Sequence, residues 1–182
     1  MTESKNKDLT HDSVNEKLNN TKNHEPSDQY LTFFMGNEEY GVNILCVQEI
    51  RGWEAVTKIP NSPSHVLGFM NLRGNISPII DLRMCFGVDE LVYTDETVVI
   101  IVSLDIEGES KSKVIGVVVD AVSDVYNFSK LDIQASPELS KTYQAQYLRG
   151  LASTEENMVI LLELTGQLIA DMDTSNLFVT LE

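Results

Sequence analysis

Few side chains in this sequence could perform chemistry, and those few do not form a recognised catalytic pattern. Only one histidine, His65, lies beyond the first 28 residues, so a Ser-His-Asp triad would depend on it alone. Cys46 and Cys85 are too few for a structural zinc site, and we interpret both as reduced, small core residues. The sequence also lacks a Walker A loop and a G-x-G-x-x-G fingerprint, which argues against nucleotide binding.

Carboxylates are the abundant reactive groups, because 28 acidic residues outnumber 13 basic ones and give a net charge of −15. Glu49, Asp81, Asp120 and Asp171 could supply the acid and base of a hydrolase if the fold brought two of them into one pocket. The alternative is a solvated acidic surface. The same charge argues against nucleic-acid or membrane-surface binding, since those partners require patches of Lys and Arg.

The elements that must position these residues are short strands joined by turns, and the apolar runs predict roughly nine or ten of them. Strands and hairpins are expected within residues 30–35, 40–42, 55–59, 66–82, 97–104, 114–119, 122–128 and 158–164. Residues 43–50 are expected to form a short helix capped by Asn43. Ile44, Val47 and Ile50 would form its apolar face. This pattern indicates an all-β protein built from small antiparallel barrels.

The two ends of the chain differ from this body in composition. Residues 1–28 carry too little apolar surface to offset the entropy of ordering, so we expect a flexible tail, with a short helix around Val14 to Leu18 as the alternative. Residues 165–182 are expected to be helical or irregular. The N-terminus lacks the apolar core of a signal peptide, and the longest apolar runs fall far short of the roughly 20 residues of a transmembrane helix. We therefore expect a cytoplasmic protein.

Among the many charged residues, Glu49 and Arg73 are the two that we single out as functional candidates. Arg73 crowns the tight turn of the 66–82 hairpin, between two apolar runs. An arginine on a turn is exposed and free unless a neighbouring carboxylate fixes its geometry. Arg73 is therefore either an ordinary surface residue or one member of an oriented ion pair.

Seven sequence blocks, in order, resemble the CheW family of chemotaxis coupling proteins, and the resemblance spans about residues 30–164. The blocks are YLTF (30–33), EEYGV (38–42), VQEIRG (47–52), NLRG (71–74), PIIDLR (78–83), VVVDAVSDV (117–125) and YLRGL (147–151). Several blocks at family-like intervals are a more specific signal than any single motif in this chain.

The resemblance implies two interlocked five-stranded SH3-like β-barrels with short helices, in a CheW-like domain at residues 29–182. The chain is expected to pass from the first barrel to the second near residues 90–97. It also implies a non-enzymatic adaptor without a cofactor. Its partners would be the cytoplasmic tip of methyl-accepting chemoreceptors, the regulatory domain of the histidine kinase CheA, and other CheW-like domains in array rings. The protein would be recruited from the cytoplasm to membrane-associated receptor arrays.

The resemblance also singles out positions for partner binding. Glu49 and Arg73 match positions that the family uses for function, and we predict an ion pair between them. Six apolar or glycine positions look like receptor or kinase contact surface, with the receptor groove expected between the barrels. They are Val47, Gly68, Ile76, Val98, Val122 and Val125.

Three alternatives stay open at this point. A CheV-type protein would need a receiver domain after Glu182. An adaptor of the same chemistry could serve an array that controls pili or second-messenger synthesis instead of flagella. A hydrolase would need two of the carboxylates to converge in a pocket with shifted pKa values.

Overall fold

The protein is described by a computed structural model that covers residues 14–16, 29–58, 60–105, 110–135 and 147–164. Within these ranges it forms strands and short helical turns, and the all-β class expected from the sequence is confirmed. The strands are β1 (Gln29–Met35), β2 (Glu38–Asn43), β3 (Val47–Gly52), β4 (Val66–Leu72), β5 (Asn75–Asp81), β6 (Val98–Leu104), β7 (Lys113–Val119), β8 (Ala121–Asn127), β9 (Ile133–Gln134), β10 (Leu148–Ser153) and β11 (Met158–Leu162). The helical turns are a 3-10 turn at Ile44–Cys46, an α-helical turn at Leu82–Cys85 and a segment at residues 14–16.

The strands form two sheets, and the chain visits the first of them twice. The first sheet has the order β8-β1-β2-β11-β10-β9, and the second has the order β3-β6-β7-β5-β4. The chain therefore crosses between the sheets after β2 and again after β7. Our expectation of a single passage near residues 90–97 is wrong, since that segment connects β5 and β6 within the second sheet.

Neither sheet closes into a barrel by backbone pairing among the described residues. The first sheet has six strands and ends at β8 and β9, while the second has five strands and ends at β3 and β4. The expected pair of five-stranded barrels, closed or nearly closed, therefore takes the form of a six-stranded and a five-stranded sheet that do not close by backbone pairing. The two ends of the second sheet nevertheless approach each other through side chains, as described below.

The apolar run of β6 is continuous because both faces of this strand are buried. Val98, Ile100 and Val102 belong to the core between the two sheets, together with residues of β1 and β7. Val99 and Ile101 belong to a separate core on the opposite face of the second sheet. Successive side chains of a strand point to opposite faces. One run of β-branched residues therefore stabilises two cores.

The helix expected at residues 43–50 is wrong beyond its first turn. The Asn43 side chain caps the 3-10 turn Ile44–Cys46 by accepting a hydrogen bond from the Leu45 N–H at 2.9 Å. The chain then continues as β3, which pairs with β6. A bulge between Val47 and Glu49 shifts the alternation by one residue, so Val47 and Ile50 both reach the core. This bulge produces the three-residue apolar spacing that imitates a helix.

The hairpin predicted at residues 66–82 is confirmed as β4 and β5. Pro78 lacks a backbone donor, and it lies opposite Phe69 just before the parallel pairing of β5 with β7 begins at Ile79. The strand expected at 55–59 is reduced to a single bridge between Thr57 and Phe69, with residue 59 outside the described ranges.

The flexible tail expected at residues 1–28 is wrong for residues 14–16, which are helical, as the alternative of a short helix had it. Val14 is completely buried in the core between the sheets, and Asn15 forms two hydrogen bonds to the backbone of Ile50. The predictions for residues 165–182 lie outside the described residues. In the part of the chain that the structure describes, no helix has the length and hydropathy to cross a membrane.

Candidate functional site

An ion pair joins the two ends of the second sheet. Glu49 lies on β3 and Arg73 lies in the turn between β4 and β5, and the Arg73 Nη2 to Glu49 Oε2 distance is 2.8 Å. The ion pair predicted from the sequence is therefore confirmed. Next to it, Nη1 of Arg51 on β3 lies 3.8 Å from Sδ of Met70 on β4. These two side-chain contacts, here called the seam, connect strands that share no ladder in the described structure.

The backbone of the turn determines where Arg73 lies. Arg73 has φ of 52° and Gly74 has φ of 91°, and the Asn71 side chain accepts a hydrogen bond from the Gly74 N–H at 2.8 Å. Two-residue hairpin turns of this hand favour Asn, Asp or Gly at the first central position, because other side chains are strained there. Turn geometry alone therefore does not explain an arginine at this position.

The seam presents a charge without contributing much to stability. The Arg73 side chain is 83% exposed, whereas that of Glu49 is 24% exposed. An exposed pair of this kind is worth less than about 1 kcal/mol, since water screens it. Ile76 follows on β5 with 54% of its surface exposed, which is unusual for a large apolar residue on a paired strand. An oriented cation beside an exposed isoleucine is suited to binding a partner protein.

The structure does not bring all eight predicted site residues to one surface. Val47 and Val98 are buried in the core between the sheets, and Gly68 is buried against the backbone of Thr57. These three could affect a partner only through packing. Val122 and Val125 lie on β8, at one end of the first sheet, and are partly exposed. The role of these five residues in partner binding stays a prediction.

A buried ionic network forms a second cluster, which sequence reasoning missed. The Arg83 side chain is fully buried. It donates from Nε and Nη2 to both carboxylate oxygens of Asp81, at 2.9 and 2.7 Å, and from Nη1 to Asp120 at 2.7 Å. The Tyr93 hydroxyl donates to Asp81 at 2.8 Å, and the Arg83 guanidinium lies 4.6 Å from the centre of the Tyr93 ring. The Asp-x-Arg spacing within an apolar stretch was the signal that could have indicated it.

The network removes two of the carboxylates considered for hydrolysis. Asp81 and Asp120 are both engaged by Arg83, so they act as structural counter-ions. Burial alone lowers the pKa of Arg83, but its hydrogen bonds to the two carboxylates outweigh burial and raise that pKa above its ordinary value. Asp171 lies outside the described residues, within which no three metal-binding side chains cluster.

The same network connects the two sheets. The second oxygen of Asp120 accepts a hydrogen bond from the Gly36 N–H at 2.7 Å, in the turn between β1 and β2. Arg83 also donates to the carbonyl oxygen of Val92 at 2.9 Å. One guanidinium thus holds both the segment between β5 and β6 and the crossing between β7 and β8.

The environment of Asp81 makes stability sensitive to high pH. Burial, then the hydrogen bond to Asp81, raises the pKa of Tyr93 from 10.0 to about 12. Burial, then the charge of Asp81, raises the pKa of Cys85 from 9.0 to about 12. A raised folded-state pKa contributes stability that is complete below the unfolded-state pKa and is lost as the pH rises towards the folded-state pKa.

We therefore expect the free energy of unfolding to fall between pH 9 and pH 12, and urea denaturation across that range measures the fall. Cys85→Ala should remove the part of this loss of stability that begins near pH 9, and Tyr93→Phe should remove the part that begins near pH 10. Equal slopes in the wild type and both variants would contradict the assignment to these two groups.

Comparison with known proteins gives consistent matches in sequence and in fold. Residues 29–171 match the family model described as a CheW-like domain. Chemotaxis protein CheW of Klebsiella aerogenes is 44% identical over 136 residues, which cover 75% of this chain and 78% of that protein. Chemotaxis protein CheW of Rhizobium meliloti is 38% identical over 136 residues, covering 75% and 84% respectively. The crystal structure of the scaffolding protein TtCheW from Thermoanaerobacter tengcongensis matches with a TM-score of 0.66 at 31% identity, and covers 76% of this chain and 90% of that chain.

Proposed function

Because this chain belongs to the CheW family of chemotaxis proteins, we propose that it is an adaptor that couples methyl-accepting chemoreceptors to the histidine kinase CheA. In this role it binds the cytoplasmic tip of the receptors and the regulatory domain of the kinase. Other CheW-like domains in the array rings are further partners. The adaptor acts in the cytoplasm, recruited to membrane-associated arrays, and performs no catalytic step itself.

The seam is the observation that supports the receptor-binding part of this proposal. Arg73 is highly exposed, and one hydrogen bond of 2.8 Å to the Glu49 carboxylate orients its guanidinium. An oriented charge fixes the register of a partner, while neighbouring apolar residues such as Ile76 supply affinity. Receptor contact at the seam would use both properties. The engagement of Asp81 and Asp120 by Arg83 is consistent with the absence of a catalytic role.

Co-sedimentation with receptor-containing membranes and cognate CheA tests the proposal, with kinase autophosphorylation measured in the same samples. We expect the protein to sediment with receptors, and the kinase to come under receptor control only when the protein is present. Sedimentation without kinase control would limit the role to receptor binding. Absence of both, with every cognate receptor tested, would contradict the coupling function.

Charge reversal at Arg73 is the sharpest single change for this test. We expect Arg73→Glu to weaken receptor binding at least about tenfold, because it removes an oriented cation and sets a carboxylate beside Glu49. The free energy of unfolding should change by less than about 1 kcal/mol, since the residue is exposed. Co-sedimentation titration measures the first quantity and urea denaturation measures the second.

Two controls separate partner contact from an internal role of the pair. Arg149→Glu makes the same charge change at an exposed arginine that lies 3.4 Å from Glu163, away from the seam, and should leave receptor binding unchanged. The double change Glu49→Arg with Arg73→Glu restores an ion pair of reversed polarity. We expect this double variant to remain deficient, because the partner would meet the wrong charge. Binding at the wild-type level would show that the pair only holds the turn.

A further inference from the structure

Residues 14–16, here called the strap, lie against the edge of β3. The Asn15 side chain accepts a hydrogen bond from the Ile50 N–H at 2.9 Å and donates one to the Ile50 carbonyl oxygen at 2.8 Å. Val14 is 0% exposed and packs in the core between the sheets. Among the described residues, the Asn15 amide therefore attaches this distant segment to β3, and Val14 attaches it to the core.

The strap occupies a position that an added strand could take. β3 ends the second sheet and pairs only with β6 within the described structure, so its other edge has no strand beside it. Both backbone groups of Ile50 point to that edge, since both bond to Asn15. Unpaired edges of this kind accept extended segments from other chains. An asparagine amide carries a donor and an acceptor side by side, so it satisfies both groups at once.

The covered position is adjacent to the seam along β3. Ile50 stands between Glu49 and Arg51, the two β3 residues that contact Arg73 and Met70. A partner that binds at the seam therefore comes close to the edge that Asn15 occupies. We propose that the strap is an intramolecular cover that limits access of the chemoreceptor to the β3 edge and is displaced when the receptor binds. This inference depends on the proposed function.

Few contacts hold the strap among the described residues. They are the two hydrogen bonds of Asn15 and the packing of Val14, whereas each long strand of the sheet is held by a ladder of backbone hydrogen bonds and by a core. Residues 17–28 connect it covalently to β1, so a displaced strap remains available to compete for the edge again. A site that is open for only a fraction of the time binds its partner with an affinity reduced by that fraction.

Point variants of the full chain test the strap. Asn15→Ala removes both hydrogen bonds, and Val14→Asp places a charge where the core has no partner for it. Glu16→Ala is the matched control, because Glu16 lies in the same helical segment and is exposed. Amide hydrogen exchange at Ile50 reports whether the strap is attached. Co-sedimentation titration with receptor-containing membranes reports whether its release opens the site.

We expect Asn15→Ala and Val14→Asp to speed exchange of the Ile50 amide at least about tenfold, while the amides of β6 and β7 keep their protection. The same variants should bind receptor membranes about three- to tenfold more tightly, and Glu16→Ala should match the wild type. Unchanged exchange at Ile50 would contradict the claim that the strap covers the β3 edge. Faster exchange with unchanged or weaker receptor binding would overturn its inhibitory role.

The exchange measurement also separates this inference from the proposed function. If the wild type and all variants fail to bind receptors, the receptor role fails, and the inhibitory role of the strap fails with it. Exchange at Ile50 still decides whether the strap covers the edge, because that measurement needs no receptor. If the released variants bind and the wild type does not, both proposals are supported.

Discussion

Replacement of Arg83 by methionine should destabilise the protein by about 3–5 kcal/mol. Methionine keeps much of the side-chain volume, so the effect reports the loss of the charge rather than a cavity. It leaves Asp81, which is completely buried, without its cation, and it removes the link through Asp120 to the other sheet. A single domain has a total stability of about 5–15 kcal/mol, so this is a large fraction of it. Urea denaturation at pH 7 measures the change.

Two comparisons make this prediction specific. Arg149→Met removes an arginine from an exposed ion pair and should change the free energy of unfolding by less than about 1 kcal/mol. Adding Asp81→Asn to Arg83→Met neutralises the stranded carboxylate and should recover part of the loss. This double variant also provides a measurable protein if Arg83→Met does not fold. A loss of under about 1 kcal/mol for Arg83→Met alone would show that water compensates the buried carboxylate.

Gly68→Ala is the second change with a large expected effect. Gly68 has φ of 153°, and an added Cβ would overlap the carbonyl oxygen of Thr57 and lie 2.7 Å from its carbonyl carbon. The obstacle is backbone, which cannot rotate away as a flexible side chain can. Strain and overpacking together predict a loss of about 2–4 kcal/mol in the free energy of unfolding.

Two other glycines separate the causes of that loss. Gly74→Ala tests the positive φ without a steric overlap, because no atom lies within 4 Å of its added Cβ. We expect it to lower the free energy of unfolding by about 1 kcal/mol. Gly52→Ala has open space and no positive φ, so it should be nearly neutral. If Gly68→Ala costs no more than Gly74→Ala, β4 can move away from Thr57. Because Gly68→Ala is expected to destabilise the fold, any reduction in its receptor binding should be interpreted together with its measured free energy of unfolding.

Local patterns in the sequence predicted the parts of the fold that depend on neighbouring residues. The hairpin around Arg73 and Gly74 follows from a tight turn between two apolar runs, and the buried strands follow from continuous β-branched stretches. The helix expected at 43–50 failed because the bulge on β3 gives Val47 and Ile50 a three-residue spacing. Such a bulge is determined by pairing with β6, about fifty residues later, and local periodicity cannot reveal it.

The candidate site also contains features that local sequence could not predict, because they depend on contacts between distant segments. The Glu49–Arg73 pair was predicted through resemblance to a family, since nothing in the local sequence joins a strand residue to a turn 24 residues away. The Arg83 network was missed because its members come from three separate segments that only the completed fold brings together. Asn15 was missed because a polar segment with few apolar residues gives too weak a periodic signal to show that an amide and a valine pack against the body of the protein.

The parallel pairing of β2 with β11 has a consequence for synthesis of the protein. Glu39 lies beside Val159, and Val42 lies beside Leu162, so the first sheet joins segments that the ribosome makes at opposite ends of the domain. The second sheet, by contrast, needs nothing beyond residue 119 for its own pairing. On an emerging chain, the second sheet can therefore form first, while β1 and β2 wait with an unpaired edge. Completion of the first sheet depends on β11, the last strand that the structure describes, and a nascent chain is most exposed to misassembly just before that strand appears.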